Sequence, residues 1–124
     1  MDQEILVKAG HDIIEYLEDG GFRPRAAMWV HNTDTDTWRL WVVPPERFTD
    51  KNEFYRRVSE IVTKHREALH GIDASDTEMV LDTHPAIKPL SRMFRVDGKS
   101  SVFVSDNMVN GFYIPDGIIL LMRL

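Results

Sequence analysis

The chain has no cysteine. That excludes disulfides, thiolate zinc sites, iron–sulfur clusters and a cysteine nucleophile. It also lacks a long apolar run. Even the longest runs, such as Ile118 to Met122, fall far short of the ~20 residues that span a bilayer, so no membrane partner is expected. There is no Asn-x-Ser/Thr acceptor and no lipidation motif. The opening Met1-Asp2-Gln3-Glu4 has no basic segment leading into an apolar one, as a secretory signal would. A cytoplasmic location is the expectation. Catalytic signatures are missing as well: there is no His-Glu-x-x-His, no Gly-x-Ser-x-Gly and no glycine-rich phosphate loop.

What is present is a 124-residue chain, 43% hydrophobic, with three Trp. That length and composition suit one domain with its own core rather than a disordered chain. Acidic residues outnumber basic ones 20 to 15, a net charge of −5, which argues against non-specific duplex binding. The charge is not spread evenly. Residues 1–19 hold six acidic groups against one lysine, and the remaining residues hold 14 of each sign. The protein is therefore a charge-balanced domain with an acidic helix at its front, a candidate surface for a basic partner.

Apolar periodicity predicts a helix from Gln3 to Glu18, capped by Asp2 and ended by Gly20-Gly21. Ala26–Asn32 and Trp38–Val43 read as two strands of a hairpin, closed by Thr33–Thr37 and stopped by Pro44-Pro45. Asp50 to Leu69 reads as a second helix, with capping-box spacing between Asp50 and Glu53. Thr77–Thr83 reads as a third strand, and His84–Phe94, interrupted by two prolines, as a loop with at most a short helix. Ser101–Ser105 reads as a fourth strand and Asp106–Gly111 as a turn region. Phe112–Ile114 and Ile118–Arg123 flank Pro115-Asp116-Gly117, which suits a tight turn. The order α-β-β-α-β-β-β predicts a single α+β domain with a five-stranded, mainly antiparallel sheet. Gly117–Met122 is apolar on both alternating faces and so belongs inside the sheet. Two helices cover one face. The other must be covered by loops or by another chain, which points to self-association, such as a homodimer.

The stretch Val109-Asn110-Gly111-Phe112-Tyr113-Ile114-Pro115-Asp116-Gly117-Ile118-Ile119 resembles the ending of a set of small, uncharacterised bacterial proteins. The hairpin Met28-Trp29-Val30 to Trp38-Arg39-Leu40 is similar to the same set. The resemblance implies a bacterial or phage origin and carries no activity or catalytic residue with it.

Several constellations bear on chemistry. With Thr33–Thr37 as the loop, Asn32 would pair with Trp38, Trp29 with Trp41 and His31 with Arg39. Trp29, His31, Arg39 and Trp41 would then share one face. Aromatics beside a guanidinium can stack a planar ligand or anchor a protein partner; the alternative is that a helix or loop simply covers them. Asp82 and His84, two apart, could pair as an oriented general base with Ser91, Ser100, Ser101 or Ser105 as nucleophile. Asn32, Asp34 and Asp36 have the alternating spacing of a calcium loop, but Thr37 and Val43 stand where that loop needs Gly and Glu. The five histidines have no metal-ligand spacing. Ser105-Asp106-Asn107 lacks the companion motifs of β-lactamases and reads as a turn. Lys88, Arg92, Arg95 and Lys99, with Arg56, Arg57, Lys64 and Arg66 on the long helix, would contact phosphates if they converged.

No cofactor and no metal site are expected. The leading expectation is a non-enzymatic protein-interaction or regulatory module that binds a protein partner or itself. A small hydrolase using Asp82 and His84 is the second, and a nucleotide or single-stranded nucleic-acid binder using Trp29, Arg39 and Trp41 the third.

Overall fold

The computed structural model describes residues 2–124. It has the expected α+β architecture: α1 (Gln3–Asp19), β1 (Ala26–Asn32), β2 (Thr37–Val43), α2 (Lys51–Lys64), β3 (Thr77–Met79), α3 (Ile87–Met93), β4 (Val96–Val109) and β5 (Phe112–Met122). The five strands lie in the order β3-β2-β1-β5-β4. All neighbours are antiparallel except β2 and β3. No helix among the described residues is long and apolar enough to cross a membrane.

Both long helices start as their sequences dictate. The Asp2 carboxylate accepts from the Glu4 N–H at 2.7 Å, and the Asp50 carboxylate from the Glu53 N–H at 3.1 Å. Each satisfies a donor that the first helical turn leaves free. Glu53 does not close the capping box, because its carboxylate is held by Arg56 and Arg57. α2 ends at Lys64, short of the predicted Leu69. There the His65 ring stacks on Tyr16 of α1, centroids 3.8 Å apart. The chain then turns through His70 and Gly71, both at positive φ.

The sheet separates two cores. On one side Leu6, Ile13 and Leu17 of α1 and Phe54, Val58 and Val62 of α2 pack on Ala27, Trp29, Leu40, Val42, Ile118 and Leu120. On the other, Ala86, Ile87 and Leu90 pack with Ala26, Met28, Trp41, Val43, Ile119 and Met122. That second face was expected to need loops or another chain. The α3 segment of the same chain supplies much of its cover.

β5 has both faces buried, as its composition requires, and carries a bulge. Its pairing with β1 shifts between Ala27 and Met28. The extra residue, Leu120, lets two successive leucines, Leu120 and Leu121, enter the same core.

Three sequence expectations are corrected. Pro115-Asp116-Gly117 is not a turn but lies within the continuous strand β5. The pairing of β1 with β5 ends at Gly117, so the missing Pro115 N–H faces no strand on that side. The true turn is Asn110-Gly111, with φ of 48° and 82°, the paired positive values of a two-residue hairpin turn. Asp106-Asn107 is not a turn either: β4 runs through it, with Asn107 paired to Ile114. β3 is three residues long rather than seven. Its ladder finishes with the Val80 N–H donating to Val42 O at 2.9 Å, just before Pro44 and Pro45 end β2.

The outer part of β4–β5 forms an arm that reaches past β1. Alternation breaks once in it. Val102 and Val104 face the second core, but so does Val109, and on β5 the side changes between Ile114 and Gly117. Asp106, at φ 52°, stands at this change opposite Pro115. The tip thus turns onto the sheet, where Phe112 reaches Trp41 and the Asn110 amide donates to Pro85 O at 3.4 Å.

Candidate functional site

The expected aromatic face does not form as one surface. Asn32 pairs with Thr37 rather than Trp38, because the Asn32 side chain caps the turn by accepting the Asp34 N–H at 2.9 Å. This slips the register by one residue, and a one-residue slip sends opposing side chains to different faces. Trp29 stands opposite Leu40, and Trp41 opposite Met28. Trp29 is 1% exposed beneath α1, its indole N–H donating to Leu6 O at 2.7 Å. His31 shares that side. It tilts against Trp38 with centroids 4.8 Å apart, and its Nε2 lies 2.9 Å from an Asp36 carboxylate oxygen. Arg39 and Trp41 stay together on the opposite face.

There they help build a cleft of about 400 Å³. Its floor is an aromatic triad. Trp41 and His84 have centroids 4.8 Å apart, His84 and Phe112 4.8 Å, and Trp41 and Phe112 5.5 Å. Three separate segments supply it: β2, the loop before α3 and the curled arm. An ion pair stands at the rim, with an Arg39 guanidinium nitrogen 3.0 Å from a Glu78 carboxylate oxygen across the β2–β3 pair. Val30, the chain at His31–Thr33 and the arm at Tyr113–Pro115 close the remaining sides. Sequence reasoning placed Arg39, Trp41 and His84 but missed Phe112 and Glu78. The only signal for Phe112 was its place beside the Asn110-Gly111 turn, which does not tell where the arm lies.

His84 is held in one orientation. The Ala86 backbone N–H donates to its Nδ1 at 3.1 Å, which leaves Nε2 to carry the proton of the neutral ring. Burial pushes the imidazole below its ordinary range, while the Glu78 carboxylate pulls the other way. The folded state therefore binds fewer protons than the unfolded chain just below the ordinary histidine value. Stability is expected to fall as pH drops below about 6.5, down to the lower folded value, and then to level off in this contribution. Urea titrations from pH 7.5 to 5 should show that slope in the wild type and a flatter one in His84→Gln. Equal slopes would contradict the assignment.

The Asp82–His84 pairing is not formed. Asp82 accepts from Arg25 at 3.3 Å, and Arg25 also donates to Pro44 O. The Ser91 hydroxyl donates to Lys88 O at 2.6 Å, and Ser100, Ser101 and Ser105 lie on β4. No hydrogen bond joins His84 to a carboxylate or hydroxyl among the described residues. The acidic turn uses its oxygens internally, through Asn32 on the Asp34 N–H and Asp36 on His31. The basic groups do not converge, since α2 lies against one face of the sheet and α3 against the other. Arg56 is spent on Glu53 and Glu60.

Comparison with models of known protein families, with curated proteins and with solved structures finds no match to this chain.

Proposed function

We propose that the protein is a non-enzymatic interaction module that seats an apolar or aromatic side chain of a protein partner in the Trp41–His84–Phe112 cleft. The observation that carries this reading is the cleft's make-up: an aromatic floor beneath one opposed charge pair, Arg39 and Glu78. Interface anchors have that anatomy, with aromatics at a desolvated centre and charged or polar groups around it. The imidazole, with Nδ1 engaged by backbone, offers an N–H to a partner carbonyl rather than a base to a substrate. Stacking of a base between Trp29 and Trp41 has no support, because the two indoles lie on opposite faces of the sheet.

Selection of displayed peptides against the folded chain tests the proposal. Enriched peptides should carry an aromatic or large aliphatic residue near a charged one. His84→Ala and Arg39→Ala should each weaken their binding about tenfold or more, with thermal midpoints close to wild type. Failure to enrich any peptide, or binding unchanged in both variants, would overturn it.

A further inference from the structure

We propose that a second copy of this chain adds to the free edge of β4, antiparallel, with the twofold axis passing between Ser105 and Asp106. β4 ends the sheet, with no strand beyond it among the described residues. Three large apolar side chains stand out along the arm: Phe103 is 57% exposed, Met108 67% and Tyr113 49%. They share one side. Phe103 is paired with Ile118 of the helix-covered core, Met108 is paired with Tyr113, and Met108 points opposite to buried Val109. Unprotected strand edges of this kind pair with other strands.

The occupant follows from the break in alternation. Residues opposite one another in an antiparallel pair lie on the same face. A partner strand must therefore change sides at the level where β4 does, between Ser105 and Asp106. A second β4 meets that requirement along Val102–Val109 when the symmetry axis lies at the break. Val102 then faces Val109 of the second copy, both on the second-core side, and Val104 faces Asn107. Phe103 faces Met108 of the second copy, and the symmetry makes that contact twice. Beside Phe103 lies a groove whose other apolar wall is Val7 of α1. Met108 of the second copy enters there. No like charges stand directly opposite in this register, since Asp106 meets Ser105. An aromatic side chain buries roughly 150–250 Å² when fully covered, and the exposed half to two-thirds of Phe103 and Met108 is what the contact newly buries in each copy. With the paired strands, the total reaches on the order of 1,000 Å², the low end for specific association. The dimer is accordingly reversible and concentration-dependent.

Two measurements test this independently of the cleft. Sedimentation velocity from about 5 µM to about 1 mM should show wild type passing from monomer toward dimer, and Met108→Asp staying monomeric. The absence of native cysteine permits a register test. At high concentration under mild oxidation, Phe103→Cys mixed with Met108→Cys should form a mixed disulfide, because opposed residues have Cα atoms about 4.5–5.5 Å apart. Neither variant alone should cross-link, since its own cysteines would lie roughly 17 Å apart along the strand. Wild type that stays monomeric at every concentration overturns the proposal. So does a dimer that survives Met108→Asp, or cross-linking of the single variants equal to that of the mixture.

Discussion

Trp29→Ala is expected to lower the unfolding free energy by about 3–5 kcal/mol, the range for emptying a large aromatic site in a packed core. Few substitutions in this chain should cost more. Trp29 sits on β1, the central strand, between Leu40 on one side and Ile118 on the other. It is 1% exposed, and α1 lies directly over it through the bond to Leu6 O. Removing the indole leaves a void beneath the helix that neither rigid layer can collapse to fill. Single domains commonly hold only about 5–15 kcal/mol in total, so the variant would stand near the edge of folding. Trp29→Phe separates the two contributions. It keeps most of the apolar volume and loses the N–H donor, and a cost of about 1–2 kcal/mol is expected. Urea unfolding followed by far-UV circular dichroism reads both without relying on the altered fluorophores. An alanine variant within 1 kcal/mol of wild type would show that Trp29 does not support the core as described.

Gly10→Ala should also destabilise, against the ordinary rule. Alanine in a helix interior is usually better than glycine by about 0.8–1.0 kcal/mol. Here a Cβ would run into Leu120 Cδ1 and come within 2.8 Å of the Trp29 indole nitrogen. Leu120 is wholly buried and the indole is pinned by its hydrogen bond. Neither can yield without moving the helix off the sheet. Overpacking of this kind costs about 1–3 kcal/mol and occasionally more. A net loss of about 1 kcal/mol, reaching about 2 at the upper end, is expected once the helix propensity gain is set against it. Gly20→Ala provides the contrast, because its Cβ would meet ordinary contacts at 3.6 Å and longer. Denaturant midpoints of the two variants should move by clearly different amounts. A Gly10→Ala chain as stable as wild type would mean that α1 does not approach β5 as closely as described.

Much of this architecture was legible in the chain. The stripes of Leu6, Ala9, Ile13 and Leu17, and of Phe54, Val58 and Val62, have one period and one meaning. The caps Asp2 and Asp50 stand where the first turns need acceptors. The double-sided apolar run of β5 required an interior strand, and it is one. What the chain concealed were decisions made by a single residue. Asn32 reads equally well as the last strand residue or as a turn cap, and its side-chain bonds to the turn chose the register. That choice separated Trp29 from Trp41 and so dissolved the expected surface. Pro115 reads as a turn because proline avoids ladders, yet the pairing of β1 with β5 has already ended where it stands. The site was legible in part for the same reason. Arg39 and Trp41 are close in sequence and keep their relation whatever the register. His84 joins them through the loop before α3 and Phe112 only because the arm bends back over the sheet, and no local pattern encodes that bend.

The bulged strand β5 has a consequence for how the chain comes to be folded. It lies between β1 and β4, yet it follows every other element in chain order. Before it is made, β1 and β4 have no mutual neighbour, and Trp29 has α1 above it but no Ile118 beside it. The helices can form early, since their contacts are local. The sheet must wait for its interior strand, whose pairing with β1 closes one of the longest loops in the molecule. Until β5 is made, the chain therefore has two partly ordered halves and an open middle. During that interval the β1 edge that β5 will cover is open to solvent and to other nascent chains.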